Sequence, residues 1–300
     1  MGRYPNFLII GAAKSGTTSL YQYLNQHPEI YMSSFKEPHF FVAQCIPRDK
    51  IPLREVITDL AEYQKLFDGV TKEKVFGEAT STYLTYPQVA EKIYQRIPNA
   101  KLIAILRNPA ERAYSAFTFA LQLGTESCQN FEEALAKDQE RKKQNQVCKE
   151  YKERGYYFAH LQNYYKFFPK EQIKVCLYDD LRQNPRELLR DIFQFLEVDD
   201  SFTVNFEQIY NATRKVRSKL LYRFLTQPNP LHRFLLKVIP LKVRKMFRVY
   251  ERTLGEKFPP MPENIKIELL KEYREDILSL QDLIGRDLSM WLAPLKEVNK

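Results

Sequence analysis

The stretch that most constrains this chain is Phe7-Leu8-Ile9-Ile10, followed at once by Gly11-Ala12-Ala13-Lys14-Ser15-Gly16-Thr17-Thr18-Ser19. Four consecutive large apolar residues predict a strand buried on both faces, and such strands belong to parallel sheets covered by helices. The Gly/Ser/Thr loop then opens a helix from about Thr17 to Gln26. Small residues let the backbone approach an anion closely, and the unpaired N–H groups of a helix start, with the positive end of its dipole, attract one. Thr17, Thr18 and Ser19 add hydroxyl donors and Lys14 adds a mobile cation. The bland rival is a plain strand–turn–helix with Lys14 pointing outward. The number of donors gathered in one loop argues against it.

Further apolar runs repeat the strand-then-helix rhythm. Ile30-Tyr31-Met32, Val75-Phe76, Lys101 to Leu106 and Ile173 to Tyr178 predict strands, and helical patterns separate them. The expected fold class is α/β, one domain over residues 1–300 with a central parallel sheet flanked by helices and a P-loop-like anion loop. Asn108-Pro109 breaks the third of these runs and starts a helix through Arg112 to Leu123. Residues 128–155, charged and Gln-rich, predict a solvated helix or a lid. Leu269, Tyr273, Ile277, Leu280 and Ile284 recur at helical spacing and predict an amphipathic helix at about 263–285, closed by Gly285.

Charge is where composition matters. The chain carries a net +9, but residues 214–252 hold twelve lysines and arginines against the single acid Glu251, a net of +11. The remaining residues have 34 basic and 36 acidic groups. A near-neutral body with one basic segment argues against a nucleic-acid partner. The segment, broken by Pro228, Pro230 and Pro240, predicts short helices around turns. Solvated helix faces, an acidic acceptor and a membrane surface are the three readings of its cations. Cys45, Cys128, Cys148 and Cys176 form no C-x-x-C pair and predict reduced structural thiols. No cluster has metal-ligand spacing, so no metal is expected. No window reaches the ~20 apolar residues of a membrane span and no leader pattern opens the chain, so the expectation is a soluble, cytoplasmic protein.

Spacing decides what the anion loop holds. Nucleotide triphosphatases need G-x-x-x-x-G-K-[ST], with lysine directly after the second glycine. Gly11 and Gly16 have that spacing, but Thr17 stands where the lysine belongs and Lys14 lies inside the loop. The loop suits a 5′-phosphate with a short anionic extension better than a triphosphate. A second cradle is predicted at the end of the Lys101–Leu106 strand: Arg107 emerges at the sheet's carboxyl edge, where open α/β sheets bind ligands, and Ser115 follows in the second turn of the next helix. Arg107 by its planar fork and Ser115 by its hydroxyl suit one further phosphate. An ion pair between Arg107 and Glu111 is the equally weighted alternative.

Together these pieces resemble a family. Lys14-Ser15-Gly16-Thr17-Thr18-Ser19 is similar to the 5′-phosphosulfate loop of sulfotransferases that use 3′-phosphoadenosine 5′-phosphosulfate (PAPS), and Arg107-Asn108-Pro109 with Arg112-Ala113-Tyr114-Ser115 is similar to their 3′-phosphate site. Lys36-Glu37-Pro38-His39-Phe40-Phe41 resembles the segment carrying the catalytic glutamate of heparan-sulfate-type carbohydrate sulfotransferases, and Gly285-Arg286-Asp287-Leu288-Ser289-Met290-Trp291-Leu292 resembles the ending of bacterial-type members. The resemblance runs from Phe7 to about Leu292.

It implies transfer of a sulfuryl group from PAPS to a hydroxyl, or an amine, of a carbohydrate or glycoconjugate, with adenosine 3′,5′-diphosphate as product and no metal. Glu37 is then the general base, its buried carboxyl tuned towards neutral pH. Lys14 stabilises the leaving oxygen, and Ser15 and Thr18 hold the 5′-phosphate within the loop that includes Gly16, Thr17 and Ser19. Three roles stay open for His39: orienting Glu37, binding the sulfuryl group, or acting as the base. A loop with Arg214, Lys215 and Arg217 closes over the nucleotide. Glu78 and Tyr83 either line the acceptor cleft or are buried hydrogen-bonding residues. Ala79 stands where glycosaminoglycan enzymes of the family usually carry lysine, which argues against a heparan-like acceptor. The competing classes are a P-loop kinase or nucleotide hydrolase, against which the lysine position speaks, and a non-catalytic binder of nucleotides or glycans, against which the intact Lys14, Glu37 and His39 set speaks.

Overall fold

Five strands form one wholly parallel sheet in the order β2-β3-β1-β4-β5. The computed structural model describes residues 3–46, 56–143, 150–207 and 258–298. The strands are β1 (Phe7–Gly11), β2 (Ile30–Met32), β3 (Val75–Ala79), β4 (Lys101–Leu106) and β5 (Ile173–Leu177). Successive side chains of a strand point to opposite faces, and the central strands show it: Leu8, Ile10, Leu102, Ala104 and Leu106 enter one apolar core, while Phe7, Ile9, Ile103 and Ile105 enter the other. A strand apolar at every position therefore needs helices on both sides. The expectation from Phe7 to Ile10 is met, and so is the α/β class.

Twelve described helices cover the two faces: α1 (Thr17–Leu24), α2 (Phe40–Ala43), α3 (Leu60–Lys65), α4 (Pro87–Arg96), α5 (Pro109–Gln122), α6 (Phe131–Ala136), α7 (Asp138–Lys143), α8 (Tyr157–Tyr165), α9 (Tyr178–Gln183), α10 (Pro185–Leu196), α11 (Glu263–Ile284) and α12 (Ala293–Val298). Among them, α1 and α10 pack their apolar stripes on the second core, and α4, α5, α8 and α11 on the first. The start of α5 follows from two residues. Pro109 occupies the first helical position, and the Asn108 side-chain oxygen accepts from the Ala110 and Glu111 N–H groups at 3.1 and 3.3 Å. At the far end of the chain, α11 buries Ile265, Leu269, Tyr273, Ile277 and Leu280 and stops at Gly285, whose φ of 64° closes the helix in the left-handed region. No described helix is long and apolar enough to cross a membrane.

In the region 128–155 the helices α6 and α7 carry the expected solvated charges, with Glu132, Lys137, Glu140 and Lys143 exposed, whereas Asp138, Arg141 and Arg154 are buried, as is Glu126 just before the region. The Glu126 carboxylate accepts from the Cys128 N–H at 2.9 Å, Arg141 Nη2 at 2.7 Å and the Tyr151 hydroxyl at 2.5 Å, and these donors hold it at about 2 against the upward push of burial. Asp138 accepts from the Tyr151 and Lys152 N–H groups, both at 2.6 Å. Charge composition cannot distinguish a hydrated helix from a set of mutually satisfied buried groups. Cys45, Cys128 and Cys176 are free thiols, while Cys148 and the basic segment 214–252 lie outside the described residues.

The β1–β3 ladder has no slack at Gly77, which faces Phe7. A Cβ there would meet the Phe7 carbonyl oxygen at 2.5 Å and its ring at 2.7 Å. Gly77→Ala is expected to lower stability by about 2–3 kcal/mol, a thermal midpoint drop of roughly 5–10 °C. Thermal melts followed by circular dichroism check this, and an unchanged midpoint would show that the two strands can part at no cost.

Candidate active site

Every strand delivers a candidate residue to the same carboxyl edge of the sheet, where ligands of open α/β folds bind. From one side to the other these are Glu37 after β2, Ser81 after β3, Lys14 and Ser15 after β1, Arg107 after β4 and Tyr178 after β5. Widely separated stretches of sequence become neighbours because the sheet order differs from the chain order.

The loop after β1 is built for an anion. Lys14 and Gly16 hold left-handed φ angles of 70° and 95°, which turns the chain sharply from strand to helix. An α-helix leaves its first N–H groups without internal partners. Here no side chain caps α1, and its first turn carries no acid. Ser15 is fully buried, and its Oγ has no hydrogen-bond partner among the described residues. The Tyr157 hydroxyl is near it but donates to the Arg107 carbonyl at 2.9 Å. A buried hydroxyl without a partner costs about 1–3 kcal/mol, so this one marks a place for a ligand acceptor. Thr17 is buried, Thr18 and Ser19 are half-buried on the first turn, and Lys14 Nζ rests 3.7 Å from the centre of the Phe119 ring on α5.

The second cradle forms one strand away. Arg107 Nε and Nη2 both donate to Glu111 Oε2, at 3.2 and 3.0 Å, and the guanidinium lies 4.9 Å from the centre of the Tyr178 ring. The ion pair considered from the sequence therefore exists, and it occupies the fork expected to take a phosphate. Ser115 sits half-buried in the second turn of α5, as expected.

Glu37 and His39 follow β2, two strands along the sheet from the loop after β1. Both hold left-handed backbone, with φ of 64° and 54°, a conformation that costs on the order of 1 kcal/mol or more per residue. Hydrogen bonds over-determine the turn: the Glu37 N–H donates to the Ala79 carbonyl at 2.9 Å, and the Glu37 carboxylate accepts from the Ser81 N–H and hydroxyl, each at 2.9 Å, and from Lys36 Nζ at 2.6 Å. His39 Nε2 lies 3.9 Å from Glu37 Oε2, and its Nδ1 shares a 3.0 Å hydrogen bond with Thr82 Oγ1. Burial pushes the Glu37 carboxyl up, but the nearby Lys36 charge and the hydrogen bonds from Lys36 and Ser81 outweigh it and hold the group below its ordinary value. The expected tuning towards neutral pH is thus reversed: Glu37 is held ionised. Burial also lowers His39, against the pull of Glu37, and favours the neutral ring. The Glu37 side chain remains 27% exposed and open to a ligand.

Glu78 and Tyr83 are wholly buried, so of the two readings open in the sequence they take the hydrogen-bonding one and do not line a cleft. Glu78 Oε2 accepts from Thr80 at 2.8 Å and Oε1 from Tyr63 at 3.3 Å. Burial drives its carboxyl up to about 7, with the Glu37 charge adding to the rise.

Several residues of the site carried no signal in the sequence. Ser81 and Thr82 orient Glu37 and His39, and Tyr178 both underlies Arg107 and closes on Gly16, where an added Cβ would lie 3.0 Å from its ring. The C-terminal motif also finds its purpose: Trp291 Nε1 donates to Asp179 at 3.1 Å, Asn108 Nδ2 donates to the Trp291 carbonyl at 3.2 Å, and Arg286 Nη2 donates to both Asp180 carboxylate oxygens at 3.1 Å. These contacts clamp α9 to the start of α5, the two walls around Arg107. Arg214, Lys215 and Arg217 lie outside the described residues.

Glu78 makes stability depend on pH. Its folded-state value near 7 exceeds the ordinary 4.5, so the folded protein binds the extra proton between those values. The contribution is complete below pH 4.5 and is lost as pH rises through 7. It amounts to at most about 3 kcal/mol, at 1.4 kcal/mol per unit. Denaturant titrations at pH 5 and pH 8 are expected to show Glu78→Gln gaining stability relative to wild type at the higher pH. An equal difference at both would show that the carboxyl does not titrate there.

Comparison with known proteins agrees with this geometry. A sulfotransferase domain model matches residues 4–222. The crystal structure of a sulfotransferase from Alicyclobacillus acidocaldarius superposes with a TM-score of 0.75 at 31% identity, covering 96% of this chain and 99% of that one. Among curated proteins, human bifunctional heparan sulfate N-deacetylase/N-sulfotransferase 3 is 24% identical over 296 residues, 97% of this chain and 31% of the relative. Membrane-associated sulfotransferase kil1 of Dictyostelium discoideum is 36% identical over 118 residues, 39% of this chain and 23% of the relative. The chain spans only about a quarter to a third of the length of these curated relatives. Over most of its length it matches a sulfotransferase domain, and on that ground the chain belongs to the sulfotransferase family.

Proposed function

We propose that the chain transfers a sulfuryl group from PAPS to a hydroxyl, or an amine, of a carbohydrate or glycoconjugate acceptor, releasing adenosine 3′,5′-diphosphate. The observation that carries this is the pair of adjacent anion cradles. One holds a buried Ser15 hydroxyl in want of a partner before an uncapped helix, and the other an arginine fork one strand away. Two cradles match two phosphates on one nucleoside. Bound there, PAPS would supply an activated sulfuryl group on its 5′-phosphate.

The remaining work falls to the chain. The α1 N-terminus, Ser15 and Thr18 would hold the 5′-phosphate, and Arg107 and Ser115 the 3′-phosphate. Lys14 would neutralise charge on the departing oxygen. To do so it must leave the Phe119 ring, a contact worth only about 0.5–1 kcal/mol where solvent reaches it, so the move is cheap compared with a charge-assisted bond to phosphate. Glu37 would take the acceptor proton. A carboxylate this acidic does not deprotonate a free alcohol; it accepts the proton as the new sulfur–oxygen bond draws electron density from the acceptor oxygen. His39, neutral and tied to Thr82, would orient Glu37 rather than compete for the proton. The acceptor class is supported by the likeness to a relative named for heparan sulfate.

Isothermal calorimetry is expected to show tight binding of adenosine 3′,5′-diphosphate and weak binding of ATP with Mg²⁺. The opposite ranking would favour a kinase or hydrolase. Glu37→Gln is expected to lower kcat about 10²–10⁴-fold with the affinity for the diphosphate nearly unchanged. Near-normal transfer by this variant would remove Glu37 from the base role.

A further inference from the structure

We propose that Glu111 is a built-in competitor for the second cradle: it occupies the Arg107 guanidinium until a 3′-phosphate displaces it, and Lys266 then receives the released carboxylate. The inference rests on the donor placement proposed above.

Arg107 spends two N–H donors on one oxygen, Glu111 Oε2, at 3.2 and 3.0 Å. This is not the parallel two-oxygen fork that makes arginine–carboxylate pairs strong. The pair is also half-open, with side-chain exposures of 22% and 37%, and ion pairs that solvent reaches are weak. A phosphate dianion offers the same fork more charge and two oxygens, so it displaces the carboxylate. The displacement needs no backbone movement, because the Glu111 N–H is bonded to the Asn108 side chain and α5 stays capped. Arg107 stays in place as well, with its plane against Tyr178. The other Glu111 oxygen already faces Lys266 Nζ on α11 at 3.9 Å, just outside hydrogen-bond range. A small rotation completes that contact. Glu111 therefore lowers the affinity for every ligand bearing a 3′-phosphate, the product included, and speeds product departure.

Calorimetry with adenosine 3′,5′-diphosphate and adenosine 5′-phosphate, on wild type, Glu111→Gln, Lys266→Gln and the double variant, tests this. Glu111→Gln is expected to bind the diphosphate about three- to tenfold tighter, with the 5′-phosphate unchanged. Lys266→Gln is expected to weaken the diphosphate alone, and to have no effect once Glu111 is gone. Unchanged or weaker binding of the diphosphate by Glu111→Gln, with its melting curve intact, would make Glu111 a positioning residue and overturn the proposal. A Lys266→Gln effect that persists in the double variant would place Lys266 on the nucleotide and overturn the hand-off. If wild type itself does not prefer the diphosphate to the 5′-phosphate, the donor placement fails, and the competitor with it.

Discussion

The pairing of β1 with β4, parallel and side by side, is the constraint on which the site depends. Adjacent strands lie about 4.8 Å apart, so whatever leaves their carboxyl ends is held within the span of one nucleotide. The ladder runs Phe7 to Lys101 and Ile9 to Ile103, then shifts at Gly11, which pairs with Ala104, and the Ala12 N–H closes it on the Ile105 carbonyl at 2.8 Å. That shift sends the anion loop away from the sheet while β4 continues to Leu106, and Arg107 emerges beside the loop. Strand β3, on the other side of β1, does the same for the carboxylate wall: its last carbonyl, Ala79, receives the Glu37 N–H, and Ser81 beyond it holds the Glu37 side chain. The two cores then lock the order, since each central strand is apolar on both faces and has no other place to go.

Within this frame, chemistry is divided by environment rather than by residue type. Glu37 and Glu78 are both carboxylic acids near the same strand end, yet one is held ionised and the other near neutrality. The difference lies in partners. Glu37 has a lysine, a serine hydroxyl and a backbone N–H, with an opening to solvent, whereas Glu78 has hydroxyl groups in a closed apolar setting among aromatic rings. Burial without a compensating cation favours the neutral acid, and a cation beside the group reverses that. The cations of the two candidate cradles are likewise held by local partners, Lys14 by Phe119 and Arg107 by Glu111 and Tyr178. A site kept in this electrostatic balance is ordered before its ligand arrives.

Much of this was legible along the chain. The run Lys101 to Leu106 coincides with β4, Pro109 starts α5, and Gly285 ends α11 in the left-handed geometry that glycine accepts at no steric cost. The sharp loop at Lys14 to Gly16 between β1 and α1 was legible because a loop's shape depends on a few consecutive residues. The burial of Glu126, Asp138 and Arg141 was not legible: each looks solvated one at a time, and only the hydrogen bonds of the folded chain, Arg141 and Tyr151 on Glu126 and the Tyr151 and Lys152 N–H groups on Asp138, make it tolerable. Tyr178 escaped notice because, in sequence, it only ends a strand. Its role exists only where α9 folds back over Gly16 and Arg107.

Local order, the strands and helices and the loop that leaves N–H groups free for an anion, was determined by the sequence itself, because steric limits on the backbone and the periodicity of apolar residues act over a few positions. The tertiary structure alone decided which of these meet. It set Glu37 against Ser81, turned Glu78 inward, gave Arg107 to Glu111, and brought Trp291 across to Asn108 and Asp179. Hydrogen-bond partners, burial and the pKa shifts that follow from them are properties of packing between distant segments. No run of residues carries them until the sheet has put its strands in order.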